Sequence, residues 1–228
     1  MLQTGELELE GQFTWGSNYT FLVRVGGQLE GVYKPVKGEQ PLWDFPPETL
    51  AGREVAAYLL SEALGWQLVP PTVLRAEGPF GPGSLQYRVQ HDPELHYFTF
   101  EDTVRQRLRS AAVFDLLANN ADRKGGHILL GEDGHIWLID HGICFHEEPK
   151  LRTVVWDFAG EPIPAELLDA VRDLQAKLRA GSPLAEQLAA YLSPAELDAL
   201  RQRAAALLAQ PAFPHPPEDE RYMPWPPV

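Results

Sequence analysis

The sequence predicts an α+β fold with two lobes, one rich in strands and one mostly helical. Segments rich in β-branched and aromatic residues, separated by turns of small residues, fill the first 35 positions. Beyond about residue 100, apolar residues recur mainly at helical spacing. We therefore expect a β-rich N-terminal lobe at 1–90, a helical C-terminal lobe at 91–210 and a proline-rich tail at 211–228.

The N-terminal lobe is expected to contain an antiparallel meander followed by one helix. Apolar residues repeat with helical periodicity from Glu48 to Leu64, and Gly65 supplies a stop for that helix. Two further short strands are expected after the helix. The predicted strands lie at 11–15, 21–25, 31–34, 69–74 and 85–90.

The C-terminal lobe is expected to carry several helices and one β-hairpin. The apolar runs 128–130 and 136–139 flank the turn sequence 131–134, which is typical of a hairpin. Ser193 followed by Pro194 is a strong helix start. The predicted helices lie at 105–119, 163–180, 183–192 and 194–210.

The C-terminal tail (residues 211–228) is expected to be extended because it holds seven prolines. Its aromatic residues Tyr222 and Trp225 indicate that it packs on the body of the protein. We find no internal repeat.

Composition and charge narrow the class of protein. The 228 residues are 44% hydrophobic and 22% charged, which is ordinary for a globular chain with a real core. No window reaches the roughly 18 apolar residues of a membrane span, and the first residues lack the order of a secretory signal. A single cysteine, Cys144, excludes an internal disulfide, so a cytoplasmic location is expected. The formal net charge of −13 disfavours nucleic acid and anionic membranes as partners.

Two charged residues in the N-terminal half form the first candidate site. Lys34 lies on the third predicted strand, where it could neutralise phosphate charge if a carboxylate held it in place. Glu54 on the following helix is the best candidate for that carboxylate, and Glu62 is the reserve. Either residue alone is more often an ordinary surface charge.

An ordered set of polar residues in the C-terminal half is more specific. Asp122 follows a predicted helix, a polar loop leads to His127, and a short hairpin then leads to Asp140 in Asp140-His141-Gly142. Phosphoryl transfer needs a group that orients the attacking hydroxyl and carboxylates that hold a metal on the phosphates. This order of residues is that of the catalytic and metal-binding segments of kinases.

The segments 120–127 and 139–142 resemble the catalytic and metal-binding loops of phosphoinositide 3- and 4-kinases. The upstream segments 32–35, 54–59 and 68–72 look like type II phosphatidylinositol 4-kinases and a bacterial set in the same superfamily. The resemblance covers roughly residues 11–160. It implies a two-lobed protein-kinase-like fold in reduced form, with ATP and Mg²⁺ or Mn²⁺ bound between the lobes.

The resemblance also implies roles for individual residues. Asp122 would be the catalytic aspartate, and its neighbour Arg123 is counted with it and Lys34 among the catalytic candidates. Asp140 and His127 would be the metal ligands. The expected nucleotide-binding residues are Gly16, Ser17, Asn18, Lys34, Glu54, Val89 and Gln90.

His127 is the main departure from the family pattern, which has asparagine there. Histidine offers a nitrogen where Mg²⁺ prefers oxygen, so the site leans toward Mn²⁺, or His127 contacts phosphate, or a second metal is absent. Three functions stay open: a phosphotransferase on a protein or small molecule more readily than a lipid, a nucleotide-binding pseudokinase that regulates a partner, and transfer of a nucleotide to a protein. Structural zinc is disfavoured, and Cys144 is expected in the core.

Overall fold

The computed structural model describes residues 1–13, 18–218 and 221–228. Its N-terminal lobe is a five-stranded antiparallel sheet in the order β1-β2-β3-β5-β4. The meander and the two later strands that the sequence predicts are all present, most with shifted ends, and residues 14 and 15 of the first predicted strand lie outside the described residues. The strands are β1 (Leu7–Phe13), β2 (Thr20–Val25), β3 (Leu29–Pro35), β4 (Thr72–Arg75) and β5 (Gly83–Tyr87).

The two faces of this sheet have different surroundings. Tyr33 on β3 is fully buried in a small apolar cluster together with Val23 and Leu85. Because side chains alternate along a strand, the neighbouring Lys34 points to the opposite face. That face is turned toward the helix that follows β3, so the strand alternation places Lys34 in the cleft.

Helix α1 (Leu50–Leu64) joins the sheet to the rest of the molecule. It ends where the sequence predicts, because Gly65 adopts a left-handed conformation with φ of 71° that a residue with a side chain rarely adopts. Leu60 of α1 is completely buried, as are Phe114, Leu138 and Leu200 of the C-terminal lobe, in one continuous core. The helix therefore belongs to both lobes.

The C-terminal lobe holds five further helices and the predicted hairpin. The expected helix 105–119 is divided by a 3₁₀ turn over 106–108, and its second part ends where Asn119 turns left-handed with φ of 50°. Among the helices in the described ranges, none is long and apolar enough to cross a membrane. The elements are α2 (Asp102–Arg105), α3 (Arg109–Ala118), β6 (Ile128–Leu130), β7 (Ile136–Leu138), α4 (Ala165–Lys177), α5 (Pro183–Leu188) and α6 (Pro194–Ala209). The predicted lobe boundary at 90 falls between β5 and α2.

The C-terminal tail packs on the body, although Trp225 does not anchor it. The indole of Trp225 is 78% exposed. The tail is held instead through its backbone, since the carbonyl of Tyr222 accepts a hydrogen bond from the amide of Thr153 at 3.0 Å and the carbonyl of Pro227 accepts one from Gly125 at 2.7 Å. Prolines leave carbonyl acceptors available, so a proline-rich segment can dock this way.

Candidate functional site

A cavity between the sheet and the C-terminal lobe brings together the charged residues that the sequence singled out. It has a volume of about 100 Å³. Its walls come from β2, β3, α1, loop 119–127 and the segment after β7. Lys34, Glu54, Asp122 and Asp140 all line it.

Lys34 lies on the cavity wall between two carboxylates. Its ammonium forms an ion pair with Glu54, the partner expected from the sequence, and donates a hydrogen bond of 2.9 Å to Asp140. Burial acts to lower the pKa of Lys34, but the charges of Asp140 and Glu54 outweigh burial and raise it. The lysine is therefore a fixed cation at neutral pH. The reserve candidate Glu62 is exposed and does not line the cavity.

Asp140 projects from a turn with unusual backbone geometry. Its φ of 60° is a left-handed value that few residues with side chains adopt, which is a common feature of functional sites. Although burial alone would raise its pKa, the neighbouring Lys34 and then His127 hold the pKa of Asp140 well below its usual range. Its side chain keeps 49% exposure, so an ionised carboxylate faces the cavity with room for a further partner.

His127 contacts Asp140, with 3.3 Å between Nε2 and a carboxylate oxygen. Burial lowers the pKa of His127 to about 4, so the imidazole is neutral at pH 7. The amide of Lys124 donates to Nδ1 at 3.4 Å, which leaves the ring proton on Nε2. In this tautomer Nε2 donates to Asp140, so a metal ligand role for His127 would need the Nε2 proton to leave, and that role stays a prediction.

Asp122 lies in loop 119–127 at the mouth of the same cavity. Its backbone amide donates to the side-chain oxygen of Asn120 at 2.9 Å, and one carboxylate oxygen pairs with the ammonium of Lys124 at 3.1 Å. Burial raises the pKa of Asp122, and Lys124 only partly offsets this. A carboxylate with a raised pKa is better suited to accept a proton than an ordinary surface aspartate.

Arg123 does not reach the cavity, which corrects its place among the catalytic candidates. Its side chain is fully buried and pairs with Asp115, whose two carboxylate oxygens lie 3.1 Å from Nε. It also donates to the carbonyl of Ile139 at 2.8 Å and contacts Nε2 of His141 at 2.7 Å. The guanidinium thus fixes the segment that carries Asp140 and cannot touch a bound substrate.

Sequence reasoning missed Asp115 and His141 as parts of this buried cluster. Asp115 lies inside the apolar run of α3, Val113-Phe114-Asp115-Leu116-Leu117, and a lone charge in such a run was the available signal. His141 is also fully buried, and its backbone amide donates to Glu54 at 2.9 Å. One carboxylate oxygen of Glu54 therefore pairs with Lys34, and the other accepts a hydrogen bond from the Asp140–Gly142 turn.

A second buried ion pair was also missed, and it fixes α1 from the other side. Arg53, only 1% exposed, pairs with Glu196 of α6 and donates to the carbonyl of Cys144 at 2.6 Å. Glu196 also completes a capping box with Ser193 at the start of α6. Cys144 itself is buried in the core, as the sequence predicts.

The remaining nucleotide-binding candidates are spread more widely. Gly16 and Ser17 lie outside the described residues. Asn18 lines the cavity, and its side-chain oxygen accepts a hydrogen bond from the amide of Gln40 at 2.7 Å. Val89 is buried and Gln90 donates to Glu30 at 2.8 Å, and neither lines the cavity. Their contact with adenine stays a prediction.

The fold is similar to that of solved kinases. A crystal structure of the Golgi casein kinase with Mn and ADP bound matches with a TM-score of 0.56 and 14% identity, over 91% of this chain and 73% of that one. The proinflammatory kinase CtkA of Helicobacter pylori matches with a TM-score of 0.55 and 12% identity, over 93% and 94% of the two chains. At this level of identity the likeness shows the fold, which is the two-lobed kinase-like fold that the sequence predicts.

The sequence comparisons are more specific. Residues 47–185 match the family model described as phosphatidylinositol 3- and 4-kinase. Protein Rv2133c of Mycobacterium tuberculosis is 46% identical over 264 aligned positions, which cover 99% of this chain and 94% of that protein. Phosphatidylinositol 4-kinase gamma 4 of Arabidopsis thaliana is 28% identical over 77% of this chain, which spans only 39% of the plant protein. The chain belongs to the phosphatidylinositol 3- and 4-kinase family.

Proposed function

We propose that this chain is an ATP-dependent phosphotransferase in which Lys34, Asp140 and Asp122 act on the nucleotide and the acceptor. The observation that carries the proposal is their convergence in one cavity, with Lys34 bonded to Asp140 and supported by Glu54. A fixed cation, an ionised carboxylate with a free face and a carboxylate of raised pKa are the groups that phosphoryl transfer needs.

The side chains present fit a metal that is held mainly by the nucleotide. Mg²⁺ in kinase sites is usually bound by one or two carboxylates together with phosphate oxygens and water. Asp140 provides one such carboxylate, and no cluster of three or more potential ligands exists among the residues that the structure describes. A metal held there would neutralise negative charge on the phosphates. His127 could then donate a hydrogen bond from Nε2 to a phosphate oxygen. Contact with phosphate is one of the roles that the sequence leaves open for a histidine at this position.

Lys34 and Asp122 have separate roles in this proposal. Lys34 would donate hydrogen bonds to phosphate oxygens while Glu54 keeps its ammonium in place. Asp122 would orient the acceptor hydroxyl and take its proton as the new oxygen–phosphorus bond forms and the bond to the ADP oxygen breaks.

The size of the cavity bears on how a nucleotide would bind. A space of about 100 Å³ accommodates the phosphate end, whereas sites for whole drug-sized ligands occupy roughly 300–1,000 Å³. Adenine would therefore lie outside it, toward Val89 and Gln90, or the lobes would open. A cytoplasmic location and a protein or small-molecule acceptor remain part of the proposal.

Calorimetry with ATP and either Mn²⁺ or Mg²⁺ tests the nucleotide site. Lys34→Met and Asp140→Ala should abolish metal-dependent binding, while Lys177→Met on α4 should leave binding unchanged. Asp122→Asn should bind ATP normally and transfer no phosphate to water or to any acceptor. If the wild type binds no nucleotide with either metal, the proposal is wrong.

One observation favours the pseudokinase as a second candidate. His127 occupies a face of Asp140 through its Nε2 contact, and it stands where the family pattern has a metal-binding asparagine. A pseudokinase would bind ATP without turnover under any divalent metal.

Mass analysis of any modified protein would separate nucleotide transfer from phosphate transfer.

A further inference from the structure

A second cavity, of about 770 Å³, lies on the other side of Asp122. Asp122, Lys124 and Asp140 border both cavities, so the two spaces meet at the proposed reaction centre. The other walls include Ala121, His127, Ile143, Arg152, segment 42–45 and the C-terminal tail. Its volume lies within the roughly 300–1,000 Å³ typical of small-molecule sites.

Arg152 is fixed beside Asp122 by the backbone. Its amide donates to the carbonyl of Asn120 at 2.8 Å, and its carbonyl accepts from the amide of Arg123 at 3.0 Å. These two bonds bracket Asp122 in the sequence. The position of Arg152 relative to the catalytic carboxylate therefore depends on main-chain bonds and not on side-chain packing alone.

The C-terminal tail supplies the opposite wall and a second arginine. The carbonyls of Tyr222 and Pro227 accept hydrogen bonds from Thr153 and Gly125, at 3.0 and 2.7 Å. Thr153 directly follows Arg152, and Gly125 belongs to the same loop as Asp122. The tail thereby brings Arg221 to the cavity, where its Nε donates to the carbonyl of Met223 at 3.1 Å.

The charged side chains on the cavity wall include three carboxylates and two arginines. Each of its three carboxylates has a lysine partner, in the pairs Asp44–Lys150 at 3.0 Å, Asp122–Lys124 at 3.1 Å and Asp140–Lys34 at 2.9 Å. Lys34 and Lys150 are shared with Glu54 and Glu148. Within residues 1–13, 18–218 and 221–228, no carboxylate lies within ion-pair distance of Arg152 or Arg221. The guanidinium groups of Arg152 and Arg221 are therefore the groups on this wall that could bind an anion, and Arg221 lies near enough to Asp122 to oppose the burial that raises its pKa.

We propose that this cavity is the acceptor site and that it takes a small soluble hydroxyl compound already carrying a phosphate group. This inference rests on the proposed phosphotransferase function. Arg152 and Arg221 bind the phosphate, because planar guanidinium groups match its oxygens and two cations match its charge of nearly −2. The hydroxyl then lies toward Asp122. Trp43 and Trp225, which are 93% and 78% exposed at the cavity, can cover the bound compound.

Binding of glycerol 3-phosphate to the full chain, saturated with ADP and Mn²⁺, tests this site. The nucleotide keeps the Lys34 cavity occupied, so that the probe reports on the second cavity. Calorimetry should detect binding of glycerol 3-phosphate and not of glycerol. Binding of glycerol 3-phosphate should also change the tryptophan fluorescence of the protein, and Trp225→Phe should reduce that change. Arg152→Met and Arg221→Met should each weaken binding about tenfold or more, as expected for loss of a charged hydrogen-bond donor. The matched control is Arg172→Met, on an exposed face of α4.

The possible failures are distinguishable. If ADP and Mn²⁺ do not bind, the proposed function fails. If they bind but neither glycerol 3-phosphate nor inorganic phosphate does at millimolar concentration, only the acceptor site is wrong. Binding that both arginine variants retain also overturns it. If the loaded protein binds phosphatidylcholine vesicles containing phosphatidylglycerol through these arginines, and does not bind glycerol 3-phosphate, the acceptor is a lipid headgroup and the soluble compound is excluded.

Discussion

Replacing Asp115 by asparagine tests whether the buried cluster of Asp115, Arg123 and His141 holds the site together. All three side chains are fully buried. The carboxylate of Asp115 accepts from Nε of Arg123 and from the hydroxyl of Thr153, each at 3.1 Å, and from the side-chain amide of Asn120 at 3.2 Å. Asparagine has nearly the same shape but no charge, so the substitution leaves Arg123 buried without a counter-ion.

The expected loss of stability follows from that uncompensated charge. Removing one partner of a buried ion pair typically costs about 3–5 kcal/mol in the free energy of unfolding. Each kcal/mol lowers Tm by roughly 2–4 °C in a protein of this size, so the two ranges multiply to a decrease of roughly 6–20 °C. The remaining side-chain oxygen of asparagine can still accept one hydrogen bond, which favours the lower half of that range.

Urea unfolding followed by circular dichroism, together with a thermal melt, provides the measurement. Asp169→Asn is the control, because Asp169 pairs with Arg172 on the surface of α4 with 71% of its side chain exposed, and it should change stability by no more than about 0.5 kcal/mol. The double variant Asp115→Leu, Arg123→Met removes both charges and should recover much of the loss. Equal effects of Asp115→Asn and Asp169→Asn would refute the reasoning.

Three further predictions concern the helices and the cavity. Glu196→Gln should destabilise the chain by about 3–5 kcal/mol, since it leaves Arg53 buried without its counter-ion, and calorimetry should show weaker ATP binding; an unchanged urea midpoint would contradict this. Ser193→Ala should cost about 1 kcal/mol in urea unfolding through loss of the N-cap of α6, and no loss would mean that the cap is unimportant. Asp122→Asn should stabilise the chain at pH 7, because burial raises the pKa of Asp122 and its ionised form therefore costs folding free energy. That gain should shrink as the pH falls and vanish below the unfolded pKa of about 3.9, and a gain independent of pH in thermal melts would be evidence against it.

Local patterns in the sequence predicted much of the fold. The alternation of β2 and β3, the helical periodicity of α1 and its stop at Gly65 depend on neighbouring residues, so a single sequence reveals them. Ser193 and Pro194 likewise mark the start of α6 through local hydrogen bonding. The predicted ends of helices and strands were less accurate than their existence. The 3₁₀ turn over 106–108, for example, divides a segment whose apolar pattern is continuous.

The candidate site was predictable only where its residues face the cleft. Lys34, Glu54, Asp122 and Asp140 belong to motifs that the family resemblance carries, and all four line one cavity. The buried partners have no comparable signal, because Arg53 meets Glu196 across 143 positions of sequence. The contacts of the C-terminal tail could not be predicted from the sequence either. They are made by backbone carbonyls, and the exposed Trp225 does not take part.

The ion pairs Lys34–Glu54 and Arg53–Glu196 explain why helix α6, which follows the family-matched segment, matters to the site. Glu54 and Arg53 are adjacent on α1, yet Glu54 binds Lys34 and the amide of His141 while Arg53 binds Glu196 of α6. Glu196 lies beyond residue 185, where the match to the family model ends. One turn of α1 carries both charges, so α6 and Lys34 contact the same turn through adjacent residues. Helix α6 thus supports, through a single turn of α1, the residue that holds the proposed phosphate-binding lysine.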